Sequence, residues 1–146
     1  MLARVTIKQA RGVGLHAQGY FAYDSKKSGS QTVSHLRFGP QPIRAPYLVQ
    51  QASFVGCHHF GLLDRVDVLG VAAPGGCCCW TARTRRTRSG MRCPGRSREK
   101  ILARRIEVYA IDAGRIAHDV GLAGRTNTIL QTCFSPSPVC CPGMRR

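Results

Sequence analysis

The stretch from Ala52 to Cys57 reads ASFVGC, and two histidines follow it. A short apolar run of this length is typical of a strand buried in a parallel sheet. Pro74-Gly75-Gly76, further along, predicts a turn. Between them, apolar residues recur at spacings of three and four, which predicts an amphipathic helix: Phe60, Leu62, Leu63, Val66 and Leu69.

The same order of elements returns in the C-terminal third. Glu99 to Arg105 predicts a helix, Ile106 to Ile111 (IEVYAI) a second buried strand, and Asp112 to Val120 a helix that Asp112 caps. Alternation of this kind is typical of α/β folds. We therefore expect a Rossmann-like layered domain with a mainly parallel sheet. The sheet needs another strand between Gly76 and Glu99, where the sequence offers arginines, so we expect it to be incomplete.

The region before Ala52 predicts less regular structure. Gln31 to Phe38 (QTVSHLRF) alternates in the manner of a half-buried strand and stops at Gly39-Pro40. Tyr47 to Gln51 suits a helical turn. The chain has 146 residues, a length typical of one domain.

The composition excludes some classes of protein. No apolar run approaches the roughly 20 residues that span a bilayer, and no secretory signal is visible, so we expect a cytoplasmic protein without a membrane partner. The net charge is +15, from 22 Lys plus Arg against 7 Asp plus Glu. About half of this excess lies between Cys77 and Arg98, which hold seven basic residues and no acidic one. Four of the eight cysteines lie in that stretch, Cys77, Cys78, Cys79 and Cys93, and two in the tail, Cys140 and Cys141.

Several long stretches resemble one family. The run Ala17 to Gly29 (AQGYFAYDSKKSG), continued by Thr32 to Val49 (TVSHLRFGPQPIRAPYLV), resembles pyruvate:ferredoxin (flavodoxin) oxidoreductases. Phe54 to Gly76 and Glu99 to Phe134 are similar to the gamma-type domain of those enzymes. The resemblance covers about three quarters of the chain. It implies that residues 1–134 are a partial gamma-type domain.

The resemblance also implies an activity and its cofactors. The parent enzyme decarboxylates pyruvate oxidatively, forms acetyl-coenzyme A and passes electrons to ferredoxin or flavodoxin. Its thiamine diphosphate and its iron-sulfur (4Fe-4S) clusters are bound outside this stretch, and coenzyme A is a substrate. We therefore expect the chain to bind no cofactor alone, to be inactive alone, and to have the remaining domains of the parent as partners.

Two segments depart from the family. After the Gly-Gly turn the family has a strand resembling TFLLNS, whereas Cys77 to Ser97 begins CCCWTARTRR. Cysteine codons are TGT or TGC, so reading from each third base turns the run from Cys77 into Leu-Leu-Leu-Asp. We therefore interpret residues 77–97 as frameshifted translation. Residues 135–146 (SPSPVCCPGMRR) admit the same interpretation, and we expect this tail to be disordered.

Two short segments are candidates for binding phosphate groups. The first is Ser25 to Gly29, in which two lysines stand between serines and before a glycine that permits a turn. Lysine ammonium groups beside hydroxyls suit the phosphates of coenzyme A, and the family resemblance carries most of this assignment. Arg125-Thr126-Asn127 is similar. The alternatives are a solvated loop and a helix cap at Thr126 or Asn127. The candidate site residues are Ser25, Lys26, Lys27, Ser28, Gly29, Arg125 and Asn127.

Other reactive side chains receive no role. Cys57 and His58 could form a nucleophile and its base, but adjacent strand residues point to opposite faces, which favours a structural Cys57. We assign no chemistry to His35 or His118. Three consecutive cysteines do not readily converge on one tetrahedral metal ion, so we predict no catalytic residue and no metal site.

Two alternative functions remain open. A small basic protein could bind nucleic acid or another anion through Arg83 to Arg98, although this stretch lacks aromatic residues for stacking. Such binding would depend strongly on salt concentration. The other alternative is a nonfunctional pseudogene product that folds weakly, because a sheet without an internal strand leaves hydrogen bonds unmade.

Overall fold

A computed structural model describes residues 7–8, 11–12, 14–23, 32–81 and 95–134 of the chain. The chain divides into two compact units, Met1–Gln50 and Gln51–Arg146. None of the helices in the described ranges has the length and apolar character needed to cross a membrane. All the buried apolar side chains of these ranges belong to the second unit.

The first unit contains an antiparallel ribbon of two strands. Strand β1 spans His16–Tyr23 and β2 spans Thr32–Gly39, and they pair from His16 opposite Gly39 to Tyr23 opposite Thr32. The predicted strand over residues 31–38 is confirmed as β2. Its pairing partner β1 was not predicted, because polar and apolar residues do not alternate along HAQGYFAY.

The helical turn predicted for Tyr47 to Gln51 is wrong, since these residues hold no helix. Arg37 of β2 contacts this segment. Its guanidinium donates a hydrogen bond to the Tyr47 carbonyl at 2.7 Å, and its Cζ lies 4.8 Å from the centre of the Tyr47 ring. Tertiary contacts of this kind routinely override a weak local preference for helix.

The second unit contains a parallel sheet of three strands. They are β3 (Ala52–Cys57), β4 (Ala72–Thr81) and β5 (Glu107–Ile111), in the order β3-β4-β5. Both pairings are parallel. The predicted strands β3 and β5 are confirmed, and so is the α/β fold class with an open parallel sheet.

The expectation of a missing central strand is wrong. Cys77, Cys78, Cys79 and Trp80 form the inner part of β4, between β3 and β5. Cysteine behaves as a small apolar residue and tryptophan favours strands, so this run suits a buried pleated surface as an aliphatic run would. Pro74-Gly75-Gly76, where the sequence predicts a turn, lie within β4 at an irregularity between its paired residues Ala72 and Cys77, and Gly75 has a positive φ of 68°.

The helices connect and follow the strands. The predicted helix over residues 60–69 is too long, because Val66 is extended (φ −131°, ψ 142°) and divides it into α1 (Leu62–Arg65) and a 3-10 helix (Val68–Val71). The helix predicted from Glu99 is confirmed as α2 (Gly95–Arg104), and the helix capped by Asp112 is confirmed as α3 (Ala113–Asp119). In chain order the helices are α1 (Leu62–Arg65), the 3-10 helix (Val68–Val71), α2 (Gly95–Arg104), α3 (Ala113–Asp119) and α4 (Thr126–Phe134).

The main hydrophobic cluster lies on one face of the sheet. Paired strand residues share a face, which places Cys57 with Trp80 and Val55 with Cys78. The Trp80 ring meets the ring of Phe60 edge to face, with 6.2 Å between ring centres. Leu63, Leu69 and Ile106 complete this buried cluster. The atypical cysteine segment is therefore part of the core rather than an insertion outside it.

Candidate functional site

Parallel α/β sheets usually bind ligands beyond the carboxyl ends of their strands. In this chain those ends are Cys57, Thr81 and Ile111, and His58, His59 and Asp112 follow two of them. The sheet therefore brings together the histidine pair singled out in the sequence and a threonine from the atypical segment.

Two side chains at this edge form hydrogen bonds with backbone carbonyls. The Thr81 hydroxyl donates a hydrogen bond to the His58 carbonyl, and the Cys57 thiol donates one to the His59 carbonyl at 3.2 Å. The Thr81 bond ties the segment after β3 to the end of β4, and the Cys57 bond stays within the segment after β3.

The geometry does not support a nucleophile at Cys57. The side chain is buried, and burial raises the pKa of the Cys57 thiol above its ordinary value. A raised pKa keeps the sulfur protonated near neutral pH, whereas nucleophilic cysteines need the thiolate. Burial lowers the pKa of His58, so the imidazole is neutral at the same pH. Cys57 is therefore structural, as the sequence favours.

The described residues contain no group of three His, Cys, Asp or Glu side chains that could hold a metal ion. Cys57, Cys77, Cys78 and Cys79 are thiols rather than disulfides. Asp112 is engaged as a helix cap, since its Oδ1 accepts a hydrogen bond from the Arg115 amide at 3.0 Å. Cys93, Cys140 and Cys141 lie outside the described residues.

The structure tests the predicted phosphate contacts only in part. Ser25, Lys26, Lys27, Ser28 and Gly29 lie outside the described residues. Arg125 and Asn127 are exposed at the beginning of α4. Because the helix begins at Thr126, neither Thr126 nor Asn127 precedes it, and the predicted cap is displaced by one position. The Arg125 carbonyl instead accepts a hydrogen bond from the Thr128 amide at 3.2 Å.

The first unit has a basic cleft that was not predicted from the sequence. Arg11, His16 and Arg44 line an open cleft of about 510 Å³ in the first unit, with no acidic side chain in its lining. His16 pairs with Gly39, so the chain after β2 returns to the beginning of β1 and brings Arg44 near His16. These residues are far apart in sequence, and only the pairing register, once known, could have predicted the cleft. Its charge suits an anionic group.

Comparison with known proteins relates the chain to one family. Residues 1–138 match the family model described as pyruvate ferredoxin/flavodoxin oxidoreductase. A pyruvate-flavodoxin oxidoreductase of Nostoc sp. is 50% identical over 123 residues, which are 84% of this chain and 10% of that protein. One of Rhodospirillum rubrum is 48% identical over 120 residues, which are 82% of this chain and 10% of that protein.

A third relative is named for the other electron carrier. The pyruvate:ferredoxin oxidoreductase of Moorella thermoacetica is 42% identical over 120 residues, again 82% of this chain and 10% of that protein. The chain thus spans about a tenth of the length of the curated relatives it matches.

Proposed function

The chain belongs to the pyruvate ferredoxin/flavodoxin oxidoreductase family, and from this premise we propose that it is one part of such an enzyme. Residues 1–134 form a partial gamma-type domain that supplies a structural or coenzyme A-proximal part of the active assembly. The family match over residues 1–138 carries the proposal. The assembly oxidatively decarboxylates pyruvate in the cytoplasm, forms acetyl-coenzyme A and passes electrons to ferredoxin or flavodoxin.

The chain contributes binding groups rather than redox chemistry. Thiamine diphosphate and 4Fe-4S clusters supply decarboxylation and electron transfer, and in this proposal the other domains of the assembly hold them. The chain contacts the phosphates of coenzyme A through Ser25, Lys26, Lys27, Ser28 and Gly29, together with Arg125 and Asn127. The basic cleft at Arg11, His16 and Arg44 supports an anionic substrate.

The experiment is complementation in trans. The Nostoc enzyme is produced without the stretch of 123 residues that matches this chain, and the purified chain is added to it. Pyruvate-dependent reduction of a viologen dye is measured. We expect no turnover from either component alone and turnover from the mixture. Turnover by the chain alone, or none by the mixture, would contradict the proposed function.

The coenzyme A contact is tested in the same assay. Lys26→Ala combined with Lys27→Ala removes two ammonium groups, and we expect the coenzyme A concentration at half-maximal rate to rise by at least about tenfold. Lys8→Ala is the matched control, since Lys8 is an exposed lysine of the same unit. An equal effect of the control and the double variant would refute the phosphate contact.

A further inference from the structure

The described residues of the first unit include none that is buried. Their main element is the ribbon of β1 and β2. An isolated two-stranded ribbon is at best marginally stable in water and needs a further layer against one of its faces. The unit nevertheless lies inside the region that matches the family model. Ile7 lies against Gly19 on one face of the ribbon, and among the described residues the opposite face, which carries Tyr20, has no buried side chain.

One side of the ribbon carries an aromatic groove. Tyr20 is 57% exposed, Tyr47 is 65% exposed and Leu48 is 45% exposed. These residues and Pro46 line a groove of about 470 Å³, together with Gln18, Gly19 and Ala45. We call this feature the tyrosine groove.

The tyrosine groove is held in shape by Arg37. The Arg37 guanidinium lies against the Tyr47 ring, and it donates hydrogen bonds to the Tyr47 carbonyl at 2.7 Å and to Gln18 Oε1 at 3.3 Å. The segment around Tyr47 is thus fixed to β1 and β2 before any partner arrives. A preformed surface loses less conformational entropy on binding than a mobile one does.

The lining of the groove indicates the chemistry of its partner. It contains no acidic or basic side chain, and the neighbouring Arg37 is engaged with the groove's own walls. A phosphate ligand would find little charge there. Exposed tyrosines beside proline and leucine are instead typical of protein interfaces, where the ring packs on apolar groups and the hydroxyl forms a hydrogen bond.

We propose that the tyrosine groove is the docking surface for apolar polypeptide of the full-length oxidoreductase outside the stretch that this chain matches. This inference rests on the proposed function. The chain spans about a tenth of its relatives' length, so the rest of such an enzyme supplies polypeptide that can cover this face. Docking there places a layer on the face of Tyr20, opposite the face that Ile7 contacts.

The test measures binding rather than turnover. The chain, labelled at its N-terminal amine, is titrated with the shortened Nostoc enzyme and followed by fluorescence anisotropy. We expect Tyr20→Ser combined with Tyr47→Ser to raise the Kd at least about tenfold. Leu48→Lys changes neither strand and is expected to do the same. Tyr23→Ser is the matched control, because Tyr23 is 74% exposed and lies on the opposite face of the ribbon; we expect a change below twofold.

The other outcomes distinguish a failure of the docking surface from a failure of the proposed function. Wild-type affinity of both groove variants, or no binding by the unchanged chain, would overturn it. A dimer of the chain alone, seen by sedimentation equilibrium and dissociated by Leu48→Lys, would assign the groove to a second copy. Binding without restored turnover refutes the proposed function alone. Restored turnover with unchanged affinity of the groove variants refutes the docking surface alone.

Discussion

Trp80 is the largest side chain in the core, and it directly follows the three consecutive cysteines of β4. It is 1% exposed and packs against Phe60. Trp80→Ala leaves a cavity, so we expect the free energy of unfolding to fall by about 3–5 kcal/mol, measured by urea denaturation. Tyr109→Ala, at an exposed aromatic residue of β5, should cost less than about 1 kcal/mol. Equal losses would contradict the central position of Trp80.

Cys57 makes the stability depend on pH in the alkaline range. Burial raises the pKa of the folded thiol above its ordinary value of 9.0. The unfolded thiol ionises first as the pH rises, so the contribution is complete below about pH 9 and is lost as the pH rises through the folded pKa. We expect Cys57→Ala to reduce the fall in urea midpoint between about pH 8 and about pH 10. An unchanged fall would contradict this assignment.

The codons of Cys77, Cys78 and Cys79 explain how a strand persists in a segment of unexpected composition. Each cysteine codon, read from its third base into the next, yields leucine, so both reading frames encode an apolar run. We propose that residues 77–97 and 135–146 are frameshifted translation. We expect the coding DNA, read one frame over from Cys77, to be open to Ser97 and to encode acidic residues. A stop codon in that frame would refute the proposal.

At the scale of elements, Arg104 of α2 joins the helix to the 3-10 helix and to the first residue of β4. Its Nη1 donates hydrogen bonds to the carbonyls of Gly70 at 3.0 Å and Ala72 at 2.9 Å, with Leu69 at 3.4 Å. Arg104→Met leaves half-buried carbonyls without this charged donor, so we expect a loss of about 1.5–3 kcal/mol in urea denaturation. Arg98→Met, at an exposed position of the same helix, is the control. A similar loss in both variants would contradict the bridging role.

The elements that could be predicted from sequence are those whose pattern is local. ASFVGC and IEVYAI are buried strands with short apolar runs, and Asp112 caps its helix as its side chain suggests. Strand β4 could not be predicted, because the arginines that follow obscured four apolar residues. The helix after Phe60 divides at the extended Val66, and Arg104 bonds to the Gly70 carbonyl of its second part from 34 positions away, a contact that a local pattern does not predict.

In the candidate site, too, only local features could be predicted from the sequence. Burial of Cys57 could be inferred from its place at the end of an apolar run. The basic cleft and the tyrosine groove depend on the pairing of β1 with β2 and on the return of the chain after β2, which no periodicity reveals. The contacts predicted for Lys26 and Lys27 remain a prediction.

At the scale of the molecule, the two units differ in how their strands are protected. Strand β4 has a partner on each side and contributes Cys78 and Trp80 to a buried cluster. Strands β1 and β2 have only each other within the described residues, without a buried side chain. Opening a strand with little buried surface requires less free energy, so its amides exchange faster with solvent.

Hydrogen exchange measures this difference directly. We expect amides of β1 and β2 to exchange at least about tenfold faster than those of β4, which corresponds to about 1.4 kcal/mol of opening free energy. Addition of the shortened Nostoc enzyme should slow exchange in β1 and β2 and leave β4 unchanged, because docking at the tyrosine groove adds a layer only to the ribbon. Slow exchange in β1 and β2 of the isolated chain would contradict this expectation, since the ribbon would then be stable without a partner.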